Sequence, residues 1–194
     1  VTIGVAGIAT FRTGRVDVGD SLNNLSIGEL AGDAHTTGAS NIAVGYNALS
    51  ANTTADYNTA VGALALDANT TGANNVAVGY AALTDSTTSD NNTAVGTYSL
   101  ANNTTGASNT AVGRGALNAN TTGANNTAVG RNALDANTTA SGSIAIGYNA
   151  LTAATTGGEN VAIGIAALED NVSGTQNVAV GGYALANDTT GGNS

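Results

Sequence analysis

Hydrophobic and polar positions recur along this chain with a strict period of seventeen residues. The phrase Asn-x-Ala-Val/Ile-Gly starts at Asn41, Asn58, Asn75, Asn92, Asn109, Asn126, Ser143, Asn160 and Asn177, with an earlier, poorer copy at Asn24 and no insertion anywhere. A fixed period in this range marks a repeat architecture whose units pack mainly on their neighbours. Residues 24–194 therefore read as ten repeats. Residues 1–23 read as irregular coils or a cap, in which Val1-Thr2-Ile3-Gly4 and Val16-Asp17-Val18-Gly19 echo the same phrase and Phe11, the only Phe, plugs the end.

With the repeat numbered from its Asn, position 4 carries Val44, Val61, Val78, Val95, Val112, Val129, Ile146, Ile163 and Val180. Position 9 carries Leu49, Leu66, Leu83, Leu100, Leu117, Leu134, Leu151, Leu168 and Leu185. Position 5 is always glycine: Gly45, Gly62, Gly79, Gly96, Gly113, Gly130, Gly147, Gly164 and Gly181. Positions 3 and 8 are almost always Ala, and positions 13 and 14 are almost always Thr-Thr. The pattern predicts one short strand over positions 1 to 4 and a second over 7 to 10, with the glycine turning between them. The Asn-Thr-Thr-Gly stretch supplies the second bend. Such strands pair with the same strand of the next repeat, so ten coils would form a rod roughly 45 to 50 Å long at the strand spacing. A helical reading fares worse, because a glycine in the middle of every unit costs about 1 kcal/mol against Ala. The expected fold is all-β, a parallel β-solenoid or β-roll of seventeen-residue coils.

Neighbours in a strand point to opposite sides. Val at position 4 shares a side with position 2, which is Thr or aliphatic; Ala at 3 shares the other side with Gly at 5. The branched side is taken as the interior, where Val meets Leu of position 9, so both columns form the predicted core. The Ala/Gly side then needs a second cover, since strands apolar on both sides are usually covered on both. One coil buries few large side chains, and several chains associating along their Ala/Gly sides would supply the rest.

Composition narrows the function. The chain has 194 residues, a formal net charge of −9 and only 9% charged residues. Its basic residues are Arg12, Arg15, Arg114 and Arg131, too few and too scattered to hold nucleic-acid phosphates. No run of eighteen apolar residues is present, so no membrane insertion is expected. There is no Cys, hence no disulfide framework. The chain begins at Val1 and stops within a repeat at Ser194, which reads as a fragment of a longer protein.

Catalytic chemistry has little to stand on. The single His, His35, falls in the Asn column of the bend and reads as a solvated turn residue. No nucleophile motif or phosphate loop is present, so no enzymatic activity and no cofactor are expected. Calcium is the one ion the carboxylates suggest, with Asp33, Asp67, Asp135 and Glu169 at position 10, Asp85 and Asp170 at 11, and Asp56 and Asp90 at 16. The calcium-binding nonapeptide is absent, and scattered Asp reads as charge that keeps a rod soluble. The sequons at Asn52, Asn69, Asn120 and Asn171 read as turn chemistry in preference to glycosylation. Position 6 is the most variable (Tyr46, Ala63, Tyr80, Thr97, Arg114, Arg131, Tyr148, Ile165) and reads as an exposed corner.

Asn-Thr-Ala-Val-Gly, a two-residue gap and Ala-Leu resemble the head repeats of trimeric autotransporter adhesins (YadA-like) and the arrays of phage tail fibres. The closest copies are 41–49, 75–83 and 143–151, with Tyr46, Tyr80 and Tyr148 at position 6. The resemblance spans 24–194 and implies a left-handed parallel β-roll with three identical chains, intertwined or side by side. It also implies an extracellular fibre segment of a virion or bacterial surface that serves attachment to a host receptor or glycan. The adhesin repeats are usually a few residues shorter, and the extra residues here fall in the Asn-Thr-Thr-Gly bend. The alternative expectation is a monomeric ice-binding solenoid that uses the Thr-Thr columns.

Overall fold

The structure, a computed structural model, describes residues 21–192. The expected cap over residues 1–23, with Phe11, therefore lies almost wholly outside the described residues. Each repeat contributes one strand of three residues: β1 Leu25–Ile27, β2 Ile42–Val44, β3 Thr59–Val61, β4 Val76–Val78, β5 Thr93–Val95, β6 Thr110–Val112, β7 Thr127–Val129, β8 Ile144–Ile146, β9 Val161–Ile163 and β10 Val178–Val180. They form one ten-stranded sheet in chain order, and every pair is parallel. Thr93 pairs with Thr110, Ala94 with Ala111 and Val95 with Val112, a register of one repeat. The described residues thus form an all-β parallel solenoid of seventeen-residue coils and contain no helix.

Positions 7 to 10 are not a second strand. Ala116 N donates to Gly113 O at 3.3 Å and Asn120 N to Leu117 O at 3.2 Å, so this stretch is two consecutive turns. Positions 7 and 9 both lie in the left-handed region, as at Asn132 (φ 56°) and Leu134 (φ 53°). Two such residues two positions apart cannot belong to an extended strand. The coils still hydrogen-bond here, with Leu117 N donating to Ala133 O and Ala119 N to Asp135 O, both at 3.0 Å.

The interior is the reverse of the expected one. Leu49, Leu66, Leu83, Leu100, Leu117, Leu134, Leu151 and Leu168 are fully buried, together with the Ala of position 3 and most of those of position 8; Ala184, in the last described coil, is only partly buried. Position 4 faces outward with position 2: Val44, Val78, Val95, Val112 and Val129 are half-buried, and Val61, Ile146, Ile163 and Val180 are exposed. The reason is volume. A seventeen-residue coil encloses a narrow space that one Leu per turn nearly fills, and only Ala fits beside it. The small side of the strand therefore turns in and the branched side turns out, so the Ala/Gly side is not a surface for other chains. Leu185 departs from its column and is 40% exposed, because no described coil lies beyond it to cover it.

The position-5 glycines are required by the stacking. A Cβ on Gly113 would sit 2.5 Å from the carbonyl oxygen of Gly130, and its φ of +132° is closed to other residues.

Candidate binding surfaces

With Ala at position 3 turned inward, the Asn at position 1 must turn inward too, and burying an amide demands partners. Stacking provides them. Asn92 N donates to Asn75 Oδ1 and Asn109 N to Asn92 Oδ1, each at 2.9 Å, while Asn109 Nδ2 donates to Gly123 O at 2.8 Å. A second column at position 12 repeats the device: Asn120 Nδ2 reaches Asn103 Oδ1 at 2.8 Å and Asn137 Nδ2 reaches Asn120 Oδ1 at 2.7 Å. Both columns are buried, so the sequons at Asn52, Asn69, Asn120 and Asn171 are closed to glycosylation in the folded chain. His35 stands in the same column and is half-buried beside Gly32, so it is only partly solvated.

Departures from the column show its chemistry. In the coil from Asn75, Ser86 replaces Asn at position 12 and Ser89 replaces Gly at position 15. Their hydroxyls meet at 2.6 Å, and Ser89 also accepts from Asn92 and Asn103. In the coil from Ser143, position 12 is Ala154, which can neither donate nor accept. Asn137 Oδ1 on one side and the Asn171 amide on the other are left buried without a partner. Ala154→Asn would supply a donor to Asn137 and an acceptor to Asn171. An orphaned buried polar atom costs about 1–3 kcal/mol, so this substitution is expected to raise stability by about that amount. Thermal unfolding checks it; an unchanged or lowered midpoint refutes it.

Thr of position 13 is also engaged: Thr121 Oγ1 donates to Thr138 O at 2.9 Å and Thr104 Oγ1 to Thr121 O at 3.0 Å. Thr of position 14 is exposed, so the adjacent side chains diverge. Several carboxylates accept hydrogen bonds within the fold. Asp56 and Asp90 accept from Ala39 N and Ala73 N at 2.7 Å, and Asp67 accepts from Thr84 Oγ1 at 2.6 Å. Among the described residues no group of three His, Asp or Glu side chains is placed to hold a metal ion.

Two outward features remain. The first is the sheet face made by positions 2 and 4, where Ile27, Ile42, Val61, Ile144, Ile146, Ile163, Val178 and Val180 are exposed and Thr59, Thr93, Thr110 and Thr127 interleave. The second is the corner at positions 6 and 7. Tyr46, Tyr80, Tyr98 and Tyr148 are exposed there; Tyr80 and Tyr98 meet edge to face, with centroids 5.3 Å apart, and the Arg131 guanidinium lies 5.6 Å from the Tyr148 ring centre. The Tyr98 hydroxyl titrates above an ordinary phenol, chiefly through its hydrogen bond with Tyr80. Burial pushes the Asp135 carboxyl up against the opposing pull of Arg114. A raised carboxyl pKa means that the charged form destabilises the fold, a penalty that appears as pH rises through the folded-state pKa. Asp135→Asn is therefore expected to raise the melting midpoint slightly at neutral pH and to leave it unchanged well below the carboxylate range. A drop at neutral pH would contradict this.

The fold and these surfaces define a tandem-repeat β-solenoid. No family model, curated protein or solved structure matches the chain.

Proposed function

We propose that the chain is a structural shaft or head segment of a homotrimeric extracellular fibre, on a virion or a bacterial surface, that serves attachment. The observation that carries this reading is the outward face of the ten-stranded sheet. Parallel sheets are normally covered on both sides, and here one side packs on the Leu/Ala interior while the other presents aliphatic and Thr columns. Nine steps of about 4.8 Å by three residues of about 3.3 Å give a flat face on the order of 400 Å². An apolar face of that size is comparable with the largest patch on a typical monomer, which is often functional. Copies of the same face, with identical columns in identical register, complement one another, and three copies about one axis would turn all three faces inward. No catalytic role is proposed.

The competing reading is a monomeric ice-binding solenoid that uses the Thr columns. The commitment of position 13 hydroxyls to the next coil leaves only position 14 of the Thr-Thr pair free to face outward, which weighs against it. Light scattering on the purified chain separates the two. Three times 18.6 kDa supports the fibre; a stable monomer with thermal hysteresis supports the alternative.

A further inference from the structure

Position 7 carries a side chain in every described coil (Leu30, Asn47, Leu64, Ala81, Tyr98, Asn132, Asn149, Ala166 and Tyr183) except the one from Asn109, where it is Gly115. A groove of about 500 Å³ runs past this glycine across four coils, lined by Thr84 and Tyr98 from the coils before it, by Arg114 and Asn118 from its own, and by Asn132 and Asp135 from the coil after it. That volume lies in the range of small-molecule sites. The polar groups converge on the gap. A Cβ built on Gly115 would lie 3.0 Å from Asn132 Oδ1 and 3.7 Å from Asp135 Oδ1, so both oxygens face it.

We propose that this groove binds a neutral pyranose sugar, with Tyr98 as the stacking wall and Asn118, Asn132 and Asp135 as the hydroxyl-binding groups. The proposal rests on the attachment reading, for which it names the ligand class. A pyranose has a C–H face that packs on an aromatic ring and a rim of hydroxyls that both donate and accept. Tyr98 is 43% exposed, and its ring is held by Tyr80 at an interplanar angle of 87°, so it offers a wall of fixed orientation. Asp135 is half-buried and, among the described residues, no hydrogen bond ties up its carboxylate, which leaves it an acceptor in need of donors. The Asn118 amide offers both kinds of group at the same rim, and Asn132 offers its Oδ1, since its Nδ2 is directed at Asn149 Oδ1 at 3.5 Å. Charge decides against an anion or a cation as ligand: Arg114 and Asp135 stand in one groove and offset one another. A single carboxylate also falls short of the ligand set of a metal ion.

The test is saturation-transfer NMR on the whole chain with methyl β-D-glucopyranoside, methyl α-D-mannopyranoside and N-acetylglucosamine at about 10 mM, where a millimolar site is largely filled. Saturating the tyrosine ring protons is expected to transfer to the C–H protons of at least one sugar. Tyr98→Ala is expected to weaken binding roughly tenfold or more, as loss of a central aromatic contact does. Gly115→Leu is expected to abolish it by filling the groove. Leu64 occupies the same position at φ 59°, against 67° for Gly115, so this variant should retain the wild-type circular dichroism, with a melting midpoint lowered modestly by the positive φ and by the 3.0 Å approach of its Cβ to Asn132 Oδ1. Transfer to none of the three sugars, or transfer undiminished in either variant, overturns the proposal. Binding of only an acidic sugar such as N-acetylneuraminic acid overturns the ligand class, since Arg114 would then dominate. Light scattering on the same sample keeps the two readings apart: a sugar-binding monomer removes the trimeric fibre, and a trimer that binds none of the sugars removes the groove.

Discussion

Leu117→Asp is expected to abolish cooperative folding of the central coils, and Leu117→Val to cost more than its lost methylene accounts for. Leu117 is fully buried, so an aspartate there would carry an unpaired charge into the space between two neighbouring Leu. Each coil is stabilised chiefly by its neighbours, so the damage spreads along the rod. The Val substitution separates packing from backbone. Losing one methylene from a core costs about 0.5–1.5 kcal/mol. Leu117 also sits at φ 52°, where a β-branched side chain is an outlier, and holding Val there adds strain beyond what Leu already bears at this φ. Leu117→Met keeps both volume and an unbranched Cβ and should cost less than about 1.5 kcal/mol. Thr121→Ala loses one hydroxyl bond to Thr138 O, about 1 kcal/mol. Denaturant unfolding ranks the four. A Val variant milder than the Met variant would remove the backbone argument.

The double substitution Val112→Asp with Val129→Asp is expected to leave a folded chain that no longer associates. Both side chains are half-buried on the outward face in adjacent strands β6 and β7. In a single chain two carboxylates there stay hydrated, and their mutual repulsion is modest and screened by salt. Between chains the same carboxylates would be stripped of water without partners, at several kcal/mol each. Circular dichroism should therefore remain that of the wild type while the mass by light scattering falls from three chains to one. A variant that stays trimeric would place the interface elsewhere on the rod. A variant as badly unfolded as Leu117→Asp would put position 4 inside.

The seventeen-residue period by itself determined a great deal. An uninterrupted repeat with glycine fixed at position 5 and Leu at position 9 implies coils of one length, stacked in parallel with like residues on like. The ten strands follow that register. The direction in which each strand faces was beyond the sequence. Alternation assigns faces only when one side is polar, and here Ala at 3 and Val at 4 are both apolar. The closed volume of the coil decided it, because Leu of position 9 leaves room for Ala and not for Val. The second strand failed for a related reason. Ala-Leu at 8 and 9 has ordinary strand chemistry, and only the stacked backbone holds Leu at positive φ. The buried Asn column of position 12 read from sequence as turn polarity and that of position 1 as the start of a strand, since one Asn cannot satisfy itself in a core. Its partners lie seventeen residues away and exist only once the coils are stacked. The groove at Gly115 belongs to the same class: a single glycine out of register with its column is visible in the sequence, but the walls around it come from the coils before and after.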